Sequence, residues 1–305
     1  MTTAEDRHHG AASRFTPPSP STVDLHTHTL RSDGLLTPVQ LVEAAAAAGV
    51  RLLAITDHDT LAGVRELRRS PLPDGMELVP GIEINTVVED RGHVMEGEVH
   101  ILGLGVDPDD DALEAALSRQ RDARRLRFDR MVEKLRAQGV PIDAALETLP
   151  ATTDEDALGR PRLARALIQC GYAESVEDAF RQHLSRGRPA YVPRQGLGPR
   201  EAIQAIRSAG GLASLAHYAE APDHLLWMRA LIEMGLNGLE VYYRAYDQET
   251  VATLRGIAQD LRLVMTGGTD YHGDRETYAE AHAQLWFPPE AASAIRRELT
   301  ERVPL

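Results

Sequence analysis

Residues 22–59, TVDLHTHTLRSDGLLTPVQLVEAAAAAGVRLLAITDHD, contain a strand, a helix and a second strand in close succession. The run at 22–25 predicts the first strand, and RLLAI at 51–55 predicts the second. Between them, Thr37 is placed to cap an alanine-rich helix that ends at Gly49. A strand–helix–strand unit of this length connects parallel strands, so the stretch predicts an α/β fold built from βα units.

The alternation of strands and helices continues through most of the chain. Further strands are predicted at 78–84, 99–106, 212–216, 238–241 and 263–266. Between residues 107 and 193 the pattern is instead almost entirely helical and rich in charge. We therefore predict a barrel domain formed by residues 21–106 and 194–305, with a helical insertion at 107–193. Residues 1–20 are polar and Pro-rich and are predicted to form a disordered tail.

The composition argues against several classes of protein. No run of eighteen apolar residues is present, so no membrane span and no membrane partner are expected. The net charge of −13 argues against a long basic groove for duplex DNA, because an acidic protein repels a polyanion. Cys170 is the only cysteine, which excludes an internal disulfide and favours a cytoplasmic location.

Histidine, aspartate and glutamate residues cluster at the ends of the predicted strands. Six segments carry them: DLHTHTLRSDG (24–34), TDHD (56–59), GIEIN (81–85), EVHILG (98–103), LAHY (215–218) and GTDYHG (268–273). In a βα barrel the carboxyl ends of the strands and the loops that follow them form one face, which holds the active site. Residues far apart in the sequence would therefore meet at the barrel mouth.

The types and spacing of these residues point to metal ions. His26 and His28 are two positions apart on an extended segment, so both side chains point the same way. Glu83 interrupts an apolar strand, where a buried carboxylate needs a charged partner or a metal. Each signal alone has an ordinary explanation, but nine ligand-type residues at six strand ends do not. Imidazole and carboxylate ligands without thiolates favour Zn, Mn or Fe in a multinuclear site over a structural zinc site.

These motifs resemble those of the PHP (polymerase and histidinol phosphatase) family of metal-dependent phosphoesterases. The resemblance covers most of residues 22–288 and is carried by DLHTHTxxSDG, AITDHDT, PGIEI, HILG, LAH and GTDYH. It is strongest for the branch that hydrolyses nucleoside 3′,5′-bisphosphates and trims short RNA from its 5′ end. The resemblance implies a distorted (βα)7 barrel of the TIM-like class, with a helical insertion over the site and a trinuclear metal centre.

Carried over position by position, the resemblance implies nine metal ligands in three groups. The first metal would be held by His26, His28, Glu83 and Asp270. The second would be held by Asp33, His58 and His272, and the third by His100, His217 and a bridging Glu83. The implied cofactors are two or three divalent ions, which would be Mn, Fe or Zn.

The insertion resembles the same branch in two arginine-containing stretches, GRPRLAR (159–165) and SRGRPAYVP (185–193). The candidate phosphate-binding residues in them are Arg160, Arg162, Arg186 and Arg188. A guanidinium group binds phosphate through two parallel hydrogen bonds, which makes arginine suitable for this role. The ordinary alternative for each of them is a solvated charge on a helix or loop.

The hypothesis from the sequence is metal-assisted hydrolysis of a phosphoester in a nucleotide or in short single-stranded RNA, with no duplex DNA as substrate. Asp57 and Asp59 flank His58 and are candidate catalytic residues, which would either orient ligands or relay protons. The residues leave this choice open, and they predict no oligomeric state.

Three alternatives remain open at this point. A histidinol-phosphate phosphatase would share the metal ligands, although the helical insertion and its arginines favour a nucleotide. An amidohydrolase also uses a His-x-His pair, but many binuclear members need a carboxylated lysine, and the only lysine, Lys134, lies in the insertion. The third alternative is a non-catalytic binding module, against which the complete ligand set argues.

Overall fold

The computed structural model describes residues 21–88, 97–149, 159–273 and 276–302, so the predicted tail at 1–20 lies outside the described residues. Seven strands form one sheet in the order of the chain: β1 (Val23–Asp24), β2 (Leu52–Ile55), β3 (Glu77–Val88), β4 (Gly97–Leu104), β5 (Leu212–Leu215), β6 (Gly238–Tyr243) and β7 (Val264–Gly268). The sheet curls until its ends meet, since the Leu25 amide donates to the Gly267 carbonyl at 3.1 Å and Thr27 forms a bridge with Tyr271. The predicted α/β barrel class is confirmed.

Helices connect the strands. They are α1 (Pro38–Ala47), α2 (Ala62–Leu67), α3 (Asp111–Ala137), α4 (Asp143–Thr148), α5 (Arg160–Gln169), α6 (Val176–Ala179), α7 (Pro199–Ser208), α8 (Leu225–Glu233), α9 (Gln248–Asp260), α10 (Tyr278–His282) and α11 (Pro289–Arg302). Helix α1 begins as predicted, because the Thr37 hydroxyl accepts from the Gln40 amide at 3.2 Å and the Gln40 side chain accepts from the Thr37 amide at 3.0 Å. A π-helical turn (Phe180–Leu184) continues α6, and a 3₁₀ turn (Ala221–His224) precedes α8.

Strand β4 runs antiparallel to both of its neighbours, so the expectation of uniformly parallel strands is wrong at this position. The other neighbouring pairs are parallel. Val88 ends β3 and Gly97 begins β4, which leaves eight residues between them, fewer than a parallel crossover needs. The first half of β4 therefore lies at the mouth, where His100 pairs with Asn85 of β3. His100 reaches the mouth from the first half of its strand, and not from the end as predicted.

Helix α3 contributes to two hydrophobic cores. Its first half places Leu113 and Leu117 in the barrel core. Its second half places Met131 and Leu135 in a second core, whose described members all lie between Phe128 and Val192. The described residues between β4 and β5 contain α3 to α7 and no strand. Although α3 is 27 residues long, no helix in the described part of the chain is long and apolar enough to cross a membrane.

Candidate metal centre

The nine residues predicted as metal ligands come together at the barrel mouth. They form three groups, and within each group one nitrogen or oxygen atom from every side chain lies within 4.8 Å of the corresponding atoms of the others. The groups are His26, His28, Glu83 and Asp270; His28, Asp33, His58 and His272; and Glu83, His100 and His217. This geometric grouping has the same members as the implied one, except that His28 belongs to two groups.

Glu83 lies at the centre of the cluster and is fully buried. Its two carboxylate oxygens are 2.9–3.3 Å from ring nitrogens of five histidines: His26, His28, His58, His100 and His217. Burial by itself would raise the pKa of the Glu83 carboxyl, but the surrounding imidazoles hold that pKa well below its usual range. Glu83 is therefore an ionised carboxylate whose two oxygens face different groups.

Five buried side-chain atoms of the cluster make no hydrogen bond of acceptable geometry with the described residues, although they lie close to one another. They are His26 Nε2, His28 Nδ1, His28 Nε2, Asp33 Oδ1 and Glu83 Oε2. Each buried polar atom without a partner costs about 1–3 kcal/mol, so five of them in one place would destabilise the fold unless a ligand satisfies them. Imidazole nitrogens and carboxylate oxygens are ligands that divalent transition-metal ions accept. The side chains present therefore fit metal ions.

Glu240 on β6 orients His26 toward the cluster. Its Oε1 atom is 3.0 Å from His26 Nδ1, which leaves His26 Nε2 facing Glu83 and Asp270 at 3.3 Å each. Its second oxygen accepts from the backbone amide of His217 at 2.7 Å. A carboxylate in this position fixes the tautomer and orientation of a metal-binding imidazole. The sequence reasoning missed Glu240, although this residue interrupts the apolar strand GLEVYY much as Glu83 interrupts β3.

Two further buried carboxylates hold the loops that carry the cluster. Asp57 Oδ1 accepts from the Thr29 amide at 2.7 Å and from the Ser32 hydroxyl at 2.8 Å, which ties the loop after β2 to the loop after β1. Asp24 accepts from the Thr269 amide at 2.9 Å and from its hydroxyl at 2.7 Å, which ties β1 to the loop after β7. Burial raises the pKa of the Asp57 carboxyl. These contacts support an orienting role for Asp57.

Asp59 connects the mouth to α3 and is 1% exposed. Its carboxylate accepts a hydrogen bond from the Arg124 guanidinium and lies 3.8 Å from Arg194 Nη2. Its backbone carbonyl accepts from Arg121 Nη1 at 3.0 Å. Asp59 therefore holds guanidinium groups beside the cluster, a positioning role that the sequence left open. Arg124 and Arg194 were missed because no motif marks either of them.

Three residues of the site have backbone angles that side-chain-bearing residues rarely adopt. The φ angles of Asp59, His217 and Asp270 are 55°, 29° and 50°, in the left-handed region, and among the described non-glycine residues only Arg262 joins them. Such angles cost of the order of 1–3 kcal/mol each and persist where the surroundings enforce them. The hydrogen bond from the Asp270 amide to the His26 carbonyl, at 2.7 Å, is one such restraint. The strain is concentrated at the mouth.

The rim histidine His272 lies beside two carboxylates, which favour its protonated form. Burial would lower its pKa, but the Asp33 and Asp270 carboxylates raise the pKa of His272 to about 10. His272 Nε2 is 3.2 Å from Asp33 Oδ1. A histidine that binds a metal ion must be a neutral imidazole, so protons would compete with a metal ion for His272.

The four motif arginines, Arg160, Arg162, Arg186 and Arg188, lie in the insertion. The guanidinium of Arg160 stands over the Phe180 ring, 5.4 Å from its centroid. Arg162 Nη2 donates to the Leu146 carbonyl at 3.1 Å. The other two are exposed. These contacts of Arg160 and Arg162 are made to other parts of the insertion, and none of them involves the nine clustered residues.

Comparison with known proteins agrees with this geometry. A model of the PHP domain matches residues 24–175. The 5′-3′ exoribonuclease Rnm of Escherichia coli (strain K12) is 34% identical over 273 residues, which cover 87% of this chain and 89% of that protein. The chain belongs to the PHP family.

Two further proteins match this chain over almost its whole length. The 3′,5′-nucleoside bisphosphate phosphatase of Chromobacterium violaceum is 31% identical, and the match covers 92% of this chain and 97% of that protein. The solved structure of a protein described as a metal-dependent phosphoesterase from Bifidobacterium adolescentis matches with a TM-score of 0.76 and 32% identity, over 93% of this chain and 98% of the other. The PHP chain is therefore an enzyme of the metal-dependent phosphoesterase class.

Proposed function

We propose that this PHP enzyme hydrolyses nucleotide phosphoesters, releasing the 3′-phosphate from nucleoside 3′,5′-bisphosphates and removing 5′ nucleotides from short single-stranded RNA. The observation that carries the proposal is the cluster of ligand-type side chains at the mouth, five of whose buried atoms make no hydrogen bond with the described residues. The substrate class is suggested by the names of two relatives, an exoribonuclease and a bisphosphate phosphatase. A cytoplasmic location is part of the proposal and rests on the single cysteine.

The nine clustered residues would hold two or three divalent ions, of Mn, Fe or Zn. When bound, such ions supply Lewis acidity to phosphoryl oxygens and lower the pKa of water. The protein's own contribution is to hold the ligand atoms in place before substrate arrives. Glu83 serves two groups at once, and Glu240 and Asp57 restrain the imidazoles and loops around it.

The exposure of the ligand side chains gives the direction of approach. His26, His28 and Glu83 have fully buried side chains and form the closed base of the site. His217 and Asp33 have side chains that are 28% and 39% exposed and lie at the open rim. A phosphoester would therefore enter from the rim, with its phosphorus directed toward Glu83.

We further propose that residues 107–193 form a cap over the mouth. Gln120 of α3 donates to the Asn85 carbonyl at 2.6 Å, and Arg121 donates to the Asp59 carbonyl at 3.0 Å, so α3 lies against one side of the mouth. A covered mouth favours a mononucleotide or a flexible single strand over a rigid duplex. The net charge of −13 acts in the same direction, because it repels long polyanions. Duplex DNA is therefore not expected as a substrate.

We propose that the motif arginines of the insertion add only weak outer contacts to the substrate phosphates, because Arg160 and Arg162 contact other parts of the insertion and the other two are exposed. These arginines are Arg160, Arg162, Arg186 and Arg188. An amidohydrolase with a bridging carboxylated lysine is disfavoured, because Lys134 Nζ donates to the Tyr191 carbonyl at 2.8 Å within the insertion. A histidinol-phosphate phosphatase would use the metal cluster but would have only one phosphate to bind. The test must therefore separate substrates with one and two phosphates.

The deciding experiment compares rates with manganese on adenosine 3′,5′-bisphosphate, a 5′-phosphorylated RNA trimer, duplex DNA and histidinol phosphate. We expect activity on the first two and little on the others. A clearly higher rate on duplex DNA or histidinol phosphate would contradict the substrate assignment. A Glu83→Gln variant purified in the same way controls for contaminating phosphatases.

A further inference from the structure

We infer that Arg124 and Arg194 form a second phosphate site beside the metal cluster, and that this site binds the 5′-phosphate of the substrate. The inference rests on the proposed function, because it assigns the second phosphate of the same nucleotide. It also explains why hydrolysis would start at the 5′ end of an RNA strand.

The two guanidinium groups reach one point from different segments of the chain. Arg124 lies on α3, and Arg194 lies seventy positions later, just after the insertion returns to the barrel. Both converge on the Asp59 carboxylate, which Arg124 hydrogen-bonds and Arg194 approaches to 3.8 Å. Their side chains are 14% and 12% exposed, so both are largely shielded from bulk water. In such surroundings a charge-assisted contact is stronger than at an open surface.

The Asn85 side chain links this arginine pair to the metal cluster. Its amide fits its neighbours in one orientation, with the oxygen accepting from Arg124 Nη2 at 3.0 Å and from Arg194 Nη2 at 3.2 Å. In that orientation its nitrogen is 3.1 Å from His58 Nδ1 and 3.3 Å from His100 Nε2. A single amide group therefore separates the guanidinium groups from two of the clustered imidazoles.

This spacing suits a nucleotide that carries phosphates on both sides of one ribose. With the 3′-phosphorus at the cluster, the 5′-phosphate would be one sugar away, within reach of the arginine pair. Guanidinium groups stay charged at any working pH and bind phosphate in a bidentate manner, so they would recognise this group firmly. In RNA, a 5′-phosphate held there leaves the first internucleotide phosphodiester at the cluster. Cleavage would then proceed from the 5′ end.

The alternative role for the pair is purely structural, holding α3 against the barrel as Gln120 does. The two roles predict different kinetics. A structural defect would lower activity on every substrate, whereas loss of recognition would affect only those with a 5′-phosphate.

The experiment uses the full-length, manganese-loaded enzyme and measures kcat/KM on adenosine 3′,5′-bisphosphate and on adenosine 3′-monophosphate. Arg124→Gln and Arg194→Gln should each lower the bisphosphate value by about ten- to a hundredfold and change the monophosphate value by less than about threefold. Arg124→Lys should lose less than Arg124→Gln. The matched control is Arg136→Gln, because Arg136 lies on the same helix, is 57% exposed and pairs with Asp143. Equal losses on both substrates, or no loss at all, would overturn the inference.

A binding measurement removes the dependence on catalysis. In the presence of a chelator, calorimetry should show that wild-type protein binds adenosine 5′-monophosphate more tightly than adenosine, and that Arg124→Gln abolishes the difference. Equal binding of the two by the wild type would overturn the inference even if the enzyme is active. If the wild type hydrolyses no phosphoester but prefers the 5′-monophosphate, the proposed function fails and the second phosphate site stands.

Discussion

The barrel mouth and the helical insertion hold their charged side chains in different ways. At the mouth, Glu83 and His28 are fully buried and keep atoms without hydrogen-bond partners among the described residues. In the insertion, Arg162 and Lys134 donate to backbone carbonyls at 3.1 and 2.8 Å, and Arg136 forms an exposed ion pair. Buried atoms that make no hydrogen bond are available to a ligand, whereas the hydrogen-bonded and ion-paired charges of the insertion support the fold.

Helix α3 shows that the difference follows position and not residue type. Its residues Gln120, Arg121 and Arg124 face the mouth and contact Asn85 or Asp59. About one turn later, from Phe128 onward, the same helix packs into the separate core of the insertion. An arginine on α3 thus contributes to the site or to the surface depending on which core lies beneath it.

The largest effect should come from replacing Glu83, the carboxylate that is shared by two groups at the mouth. Glu83→Ala should lower phosphoester hydrolysis by at least about a thousandfold and reduce the bound metal found by elemental analysis, since two metal positions lose a ligand. His58→Ala and Asp270→Ala should also abolish turnover, with Glu83→Ala at least as damaging. Glu43→Ala on the exposed face of α1 is the control. Unchanged turnover in both the His58 and Asp270 variants would refute the ligand assignment.

A smaller loss should follow when a supporting carboxylate of the mouth loses only its charge. Glu240→Gln keeps the shape of the side chain but weakens the hold on His26 Nδ1, which lies 3.0 Å away. We expect about a ten- to hundredfold loss in metal affinity or activity, measured by metal titration and steady-state kinetics. If Glu240→Gln has the metal affinity and the activity of the wild type, the metal centre does not depend on the Glu240 carboxylate.

The mouth should also make the metal-free protein sensitive to pH. His272 has a pKa raised from 6.5 to about 10, so the stability it contributes is complete below pH 6.5 and is lost as the pH rises through 10. In chelator, the Tm should fall by roughly 3 °C or more between pH 6.5 and 10 on this account. His272→Gln should flatten that dependence. A slope that is identical in the variant and the wild type would contradict this role of His272.

The smallest effect is expected from the motif arginines of the insertion. Arg160→Ala and Arg186→Ala should lower kcat/KM on adenosine 3′,5′-bisphosphate by less than about threefold, because Arg160 has a partner in Phe180 and Arg186 is exposed. A direct phosphate contact would instead cost about 1.5–3 kcal/mol. A loss of that size in kcat/KM on the bisphosphate, without a loss on adenosine 3′-monophosphate, would show that the motif arginines bind the second phosphate directly.

The sequence by itself predicted the features that depend on short stretches of chain. The pattern within residues 22–59 predicted β1, α1 and β2, because an apolar run and a helix cap such as Thr37 are recognisable from neighbouring residues alone. The ligand-type residues that come together were also found from sequence, because most of them follow apolar runs and carry unusual side chains for those places. Glu240 could have been found by the same reasoning, since it interrupts an apolar strand.

Only the tertiary structure decided the features that depend on direction and on distant contacts. An apolar run has no direction, so the antiparallel course of β4, which brings His100 to the mouth, could not be read from it. The contacts of Arg124 and Arg194 with Asp59 join residues that are 65 and 135 positions apart, and no local pattern encodes them. The physical reason is that a charged side chain acquires its role from the groups packed around it, and those groups are assembled only when the barrel closes.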